Sequence, residues 1–295
     1  VTPAVVPYGP HPDQFLELTL PDGDGPAPGG AAQDPAPGGA AQDPAPGGSA
    51  QDPAPVVVVL HGGFWRAAYG IELARPLAAD LAAAGYAAVA VEYRRVGTGG
   101  GWPATLEDVA AALDALPGLP DTPRLDLGDV TVVGHSAGGH LAAWAAGRGR
   151  LPAGAPGAAP RVRVTAAVLQ AGVVDLQHAA QQRLGERRGL GAVQEFLGGE
   201  PGEVPDRYAV ADPVRLLPTG ADVLCVHGTG DDVVPLEQSQ RYAAAAAGAG
   251  DRVTVRTVPG GHRVPIDVAG EAWAVVREWL GEHTAGRRTG TTLGP

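Results

Sequence analysis

The chain has 295 residues, 44% of them hydrophobic and 18% charged, long enough to bury one sizeable core in a single domain covering residues 1–295. A formal net charge of −11 argues against nucleic acid or an anionic membrane as partner, because both need massed positive charge and the arginines here are scattered. No apolar run approaches the roughly 20 residues that span a bilayer, and the opening stretch lacks the basic-then-apolar order of a signal peptide, so a cytoplasmic location is expected.

In chain order, the first strand expected is Phe15–Leu20. A nonapeptide follows three times, Pro26–Asp34, Pro35–Asp43 and, with Ser49 for Ala, Pro44–Asp52, rich in Pro and Gly and poor in large apolar side chains. Such a segment gains little from burial to offset ordering entropy, so residues 26–55 are expected to form a flexible loop. Beyond it, apolar runs at Val56–Leu60, Ala87–Val91, Val130–Val133, Val164–Leu169, Val223–Val226 and Val253–Val258 predict strands covered on both faces. Helices are predicted between and after them at Ile71–Ala84, Leu106–Leu116, Ala137–Ala146, Leu236–Ala247 and Glu271–Leu280. This alternation predicts an α/β fold with a mostly parallel central sheet flanked by helices. Residues 176–218 break the rhythm and read either as a small helical cap or as a surface excursion with no role at a site, and residues 282–295 as a flexible tail. Cys225, the single cysteine, lies inside a strand run and reads as core packing, so neither a disulfide framework nor a cysteine metal cluster is expected.

Of the three serines only Ser136 has a catalytic setting, in Val133-Gly-His-Ser136-Ala-Gly-Gly. Gly-x-Ser-x-Gly between strand and helix is the nucleophile elbow, where small neighbours permit the strained turn that lifts a hydroxyl above the sheet. A serine hydroxyl needs a base, and the base an acid to hold its tautomer; on this type of fold they follow in the order Ser, Asp or Glu, His. Asp231 and Asp232, in the polar turn after a strand, are both candidates for the acid, with Asp231 preferred. His262, in a Gly-Gly-His turn before the last helix, is the candidate base; His178 precedes the acid, His283 lies beyond the helix, and His227 reads as an anchor of the acid's turn. The glycines of His61-Gly62-Gly63-Phe64-Trp65, after a buried strand, can turn backbone N–H groups toward Ser136, joined by the N–H of Ala137, to hold a developing oxyanion. Trp65, and Phe196 and Tyr208 of the 176–218 segment, are candidate substrate-binding walls; packing of that segment on the sheet is the alternative for the same aromatics.

The combination of HGGFW at 61–65, EYRR at 92–95, GHSAGGHLA at 134–142, HGTGDDVVP at 227–235 and GGH at 260–262 resembles α/β-hydrolases of the esterase and kynurenine formamidase-like group. The resemblance implies the α/β-hydrolase fold, Ser136 as nucleophile, Asp231 as acid and His262 as base. It also implies an oxyanion hole from the N–H groups of Gly63, Phe64 and Ala137. The chain departs from that group in its nonapeptide insert and in Arg263, where an apolar or aromatic residue follows the histidine. The expected activity is hydrolysis of small carboxylic esters or amides through an acyl-enzyme, of carboxylesterase or arylformamidase type, needing no cofactor or metal. A prolyl-oligopeptidase-like peptidase and a non-catalytic binding protein on the same scaffold are the competing functions. The oligomeric state is not specified by these features.

Overall fold

Along Val56–Leu60 every side chain is apolar, and alternate residues of a strand point to opposite faces. Val56, Val58 and Leu60 accordingly enter one hydrophobic core, and Val57 and Val59 a second on the other side of the sheet. The computed structural model describes residues 2–21 and 52–290. Most of the expected repeat loop, residues 26–51, lies outside the described residues, as do residues 291–295 of the expected tail.

Among the described residues eight strands form one sheet: β1 (Ala4–Pro7), β2 (Phe15–Thr19), β3 (Ala54–Leu60), β4 (Ala87–Val91), β5 (Leu125–His135), β6 (Ala166–Gln170), β7 (Asp222–Gly228) and β8 (Val253–Val258), in the order β1-β2-β4-β3-β5-β6-β7-β8. β1, only four residues long, mostly exposed and ending at Pro7, is not among the expected strands. It pairs antiparallel with β2, and β2 antiparallel with β4; the remaining pairs are parallel. The expected loop 26–55 ends two residues early, because Ala54 and Pro55 already pair with Leu125 and Asp126 of β5.

The helices are α1 (Arg75–Ala83), α2 (Ala104–Ala115), α3 (Ala137–Gly147), α4 (Leu176–Gln181), α5 (Ala192–Leu197), α6 (Pro205–Ala211), α7 (Glu237–Ala249) and α8 (Glu271–Thr289). α3 is apolar almost all round and almost wholly buried, as a helix with no polar face must be. α4, α5 and α6 fall within the 176–218 segment, which packs on α3: Trp144 Nε1 donates to the Val210 carbonyl at 3.1 Å and His140 Nε2 to that of Ala211 at 2.9 Å.

The C-terminal tail expected from residue 282 is instead helical to Thr289, with a left-handed Gly290 closing the helix. Its physical cause is tertiary. His283 is buried with ring nitrogens 3.4 Å from an Asp129 oxygen and 3.3 Å from one of Asp222, and Arg287 donates to the Gly128 carbonyl at 2.6 Å. The C-terminal half of α8 thereby clamps the beginnings of the central strands, and Arg287 and Arg288 in its last turn complement the helix dipole.

Candidate active site

Four loops that matter leave the C-terminal ends of parallel strands, which puts them on one edge of the sheet: Gly62–Trp65 after β3, Ser136 after β5, Asp231 after β7 and His262 after β8. The chain order around the sheet reverses at β3, and crevices for ligands form at such switch points.

Ser136 has φ 57° and ψ −118°, a conformation that costs a non-glycine residue about 1–2 kcal/mol and that its neighbours enforce. Its N–H donates to the Gln170 carbonyl at 2.8 Å, and its carbonyl accepts from His140 N at 3.1 Å and Val173 N at 3.2 Å. The flanking glycines are sterically required. A Cβ on Gly134 would lie 2.0 Å from the Gly138 oxygen, and one on Gly138 would lie 2.1 Å from the Leu60 oxygen.

Opposite the elbow, Gly63 (φ 118°), Phe64 (φ 53°) and Trp65 (φ 56°) run consecutively through left-handed backbone. Among the described residues the N–H groups of Gly63, Phe64 and Ala137 have no protein acceptor. The strained turn is held from several sides. His61 Nε2 donates to Glu92 Oε1 at 2.9 Å, its ring stacks on Tyr93 at 4.3 Å, and the Tyr93 hydroxyl donates to the His61 carbonyl at 2.7 Å. Glu92 also accepts from Ile71 N, Tyr93 N and Arg95 Nη1, so the EYRR stretch braces the glycine turn.

His262 Nδ1 lies 2.7 Å from Asp231 Oδ2. The other oxygen of Asp231 accepts the N–H groups of Val233 and Val234, each at 2.9 Å. His227 Nε2 stands 3.2 Å from Oδ2 and donates to the Val234 carbonyl at 2.9 Å, while its Nδ1 accepts from Ser239 Oγ at 2.8 Å. Burial pushes the Asp231 carboxyl upward, but the hydrogen bonds from His227, His262 and the two backbone N–H groups outweigh it and hold it well below the usual carboxylate range. Asp231 therefore stays ionised and accepts from His262 Nδ1, which in the neutral imidazole leaves Nε2 without a proton and free to accept. Asp232 is exposed and turns into the cavity.

That cavity, about 500 Å³, is bordered by Ser136, His262, Gly63 and Phe64, with Tyr69, Leu73, Val264 and Ile266 as apolar walls and Asp232 and Arg263 among its polar lining. Trp65, Phe196 and Tyr208, expected to bind substrate, do not line it. Trp65 stacks on Phe196 at 4.6 Å and donates from Nε1 to His140 Nδ1 at 3.1 Å, and Tyr208 donates to the Gly199 carbonyl at 3.2 Å, all three being buried. Large rings next to a glycine turn gain more by closing the space between α3 and the 176–218 segment than by facing water. The residues that do form the walls, Tyr69, Leu73, Val264 and Ile266, carry no motif in the sequence; only their spacing a few residues beyond the two glycine turns hints at them. His135, the residue before the serine, borders the cavity as a further buried polar group that the order Ser, Asp, His passes over, whereas His140 packs on Trp65 away from it.

Among the described residues no group of three or more His, Cys, Asp or Glu side chains is gathered as a metal site, and no helix is long and apolar enough to cross a membrane. The BD-FAE family profile matches residues 46–245. LipM of Mycobacterium tuberculosis, described as a probable carboxylic ester hydrolase, is 28% identical over 251 residues, covering 81% of this chain and 57% of LipM. The esterase LipQ of the same organism is 29% identical over 218 residues, covering 70% of this chain and 49% of LipQ, so the chain spans about half the length of these curated relatives. Among solved structures, a truncated carbohydrate esterase from gut microbiota superposes with a TM-score of 0.73 at 22% identity, covering 97% of each chain. The propionate-bound esterase Est2 of Thermogutta terrifontis gives 0.68 at 21% identity, covering 96% of this chain and 94% of that one. These neighbours share the α/β-hydrolase fold, a mostly parallel eight-stranded sheet with flanking helices. With its family profile matched over more than half of its length, the chain belongs to the BD-FAE family, of α/β-hydrolase esterase type.

Proposed function

We propose that this chain is a serine hydrolase of small carboxylic esters, with Ser136 as nucleophile, His262 as general base and Asp231 as its orienting acid. The observation that carries the reading is the 2.7 Å contact between Asp231 Oδ2 and His262 Nδ1, with His262 and Ser136 bordering the same cavity. Ser136 Oγ attacks the ester carbonyl as His262 Nε2 takes its proton. The oxyanion that forms is held by the N–H groups of Gly63, Phe64 and Ala137, each worth on the order of 3 kcal/mol in the transition state. His262 then returns the proton to the departing alcohol, and water attacks the acyl-serine by the same route in reverse.

The names of the mycobacterial relatives support an ester substrate. Apolar walls within a few residues of the glycine turns favour a short acyl group, and propionate and butyrate are the ligands named for the Thermogutta neighbour. Phe64 and Tyr69, rather than the three aromatics first expected, give the cavity its aromatic character; a flat leaving group, including that of an aryl formamide, packs against such rings.

The test is labelling with a fluorophosphonate, followed by kcat/KM for acetyl, butyryl and decanoyl p-nitrophenyl esters beside N-formylkynurenine and a prolyl p-nitroanilide. Covalent labelling at Ser136 and an acetyl or butyryl optimum are expected. An optimum on the anilide would assign a peptidase, and absence of both labelling and turnover a binding protein.

A further inference from the structure

Two buried side chains that take no part in the relay grip the loop that carries His262. His135, the residue before the nucleophile, donates from Nε2 to the main-chain carbonyl of His262 at 2.8 Å, and its ring centroid lies 4.5 Å from that of the His262 imidazole. One strand over, Gln170 Nε2 donates to the Pro265 carbonyl of the same loop, while the Gln170 carbonyl accepts the Ser136 N–H at 2.8 Å. His135 and Gln170 are also register partners across β5 and β6. The loop bearing the base is thus fastened to the two strand ends that position the nucleophile.

We propose that His135 is a positioning residue for the hydrolysis: its Nε2–H holds the His262 backbone, and through it sets the His262 imidazole against Ser136. The inference rests on the triad reading above. A carbonyl can only accept, so this contact fixes the His135 tautomer with its proton on Nε2. Burial, together with repulsion from a protonated His262, pushes the His135 imidazole down to about 3, so it stays neutral while His262 cycles. The groups facing it, His262, Asp231 and Arg263, are those of the site itself. A direct link matters because reacting atoms must be held within a fraction of an ångström, and a displacement of about 1 Å costs on the order of a hundredfold in rate.

The experiment compares His135→Phe, which keeps a ring and loses the donor, with His135→Gln, whose amide nitrogen reaches the place of Nε2, and His135→Asn, whose amide falls short. Rates are expressed per active site, titrated with fluorophosphonate, so that misfolded protein is not counted. His135→Phe and His135→Asn are expected to lower kcat about 10- to 100-fold with KM changed less than about threefold, while His135→Gln stays within about threefold of wild type. The acid limb of kcat/KM should keep its midpoint in His135→Gln. Retention of kcat by His135→Asn, equal losses in the Gln and Asn variants, or a displaced acid limb in His135→Gln would each overturn the inference. Comparison of Gln with Asn suffices if the Phe variant does not fold. Ser136→Ala and His262→Ala run alongside: activity surviving in those would remove the triad reading itself, whereas their inactivity with an unaffected His135→Asn would remove only the role of His135.

Discussion

Asp231 Oδ2 meets His262 Nδ1 at 2.7 Å, while Asp231 Oδ1 accepts two N–H groups from its own turn, so one carboxylate both shapes the loop and orients the imidazole. Its neighbour Asp232 stands in the cavity lining without such contacts.

Exchange of the two aspartates is therefore expected to be sharply asymmetric. Asp231→Asn is expected to lower kcat by about 10³–10⁴, because an amide cannot both accept from the His262 Nδ1–H and satisfy the donors around it, so the imidazole loses its tautomer. Asp232→Asn is expected to cost less than about tenfold. Steady-state rates on p-nitrophenyl acetate, normalised by active-site titration, separate the two; equal losses would move the acid away from Asp231.

The buried aromatics are expected to govern stability rather than specificity. Phe196→Ala removes a ring stacked on Trp65 and touching His140, a cavity worth about 3–5 kcal/mol. Thermal unfolding should fall by roughly 6–10 °C while the ratio of acetyl to butyryl kcat/KM stays within about twofold. Tyr69→Ala, opening a wall of the cavity beside Gly63, is expected to shift that ratio toward the longer ester at least about fivefold. A Phe196→Ala variant with altered chain-length preference would return that ring to the substrate side.

Acid should destabilise the fold through its neutral histidines. Burial pushes His135 down to about 3 and His140 down to about 4, so below an unfolded value near 6.5 the unfolded chain binds protons that the native state refuses. Stability is then lost as pH falls, by about 1.4 kcal/mol per pH unit for each histidine between roughly pH 6 and 4. Urea unfolding at pH 7, 6 and 5 measures the slope, which Asp212, raised by burial to about 6, offsets in part; stability that rises as pH falls would contradict the burial of both rings in neutral form.

His283 runs the opposite way. Burial lowers its pKa, but the close carboxylates of Asp129 and Asp222 outweigh this and raise it. Its stabilisation is fully present below the unfolded value near 6.5 and fades as pH climbs through the raised native value. His283→Ala should therefore lower the melting temperature more at pH 6 than at pH 9. The clamp sits at the far ends of β5 and β7, so kcat should change less than about twofold. An equal loss of melting temperature at both pH values would show that packing on Trp279, rather than charge, carries the effect.

Seven of the eight strands follow from local chemistry: apolar runs such as Val56–Leu60 can bury both faces only inside a parallel sheet, and Gly134-His-Ser136-Ala-Gly138 can make only a tight strand-to-helix turn. The proposed nucleophile, acid and base follow in a recognisable chain order for the same reason, since each sits in a glycine-bearing turn at a strand end. What local sequence cannot resolve is direction. Asp231 and Asp232 are chemically identical neighbours, and only the turn braced by His227 and Ser239 aims one at His262. Trp65 follows Phe64 directly, yet it packs beneath the turn against His140 and Phe196 while Phe64 borders the cavity, a choice made by volumes contributed from distant helices. The polar end of α8 has no hydrophobic signal of its own; it is helical because His283 and Arg287 find Asp129, Asp222 and Gly128 at the strand ends, partners that exist only once the sheet has assembled.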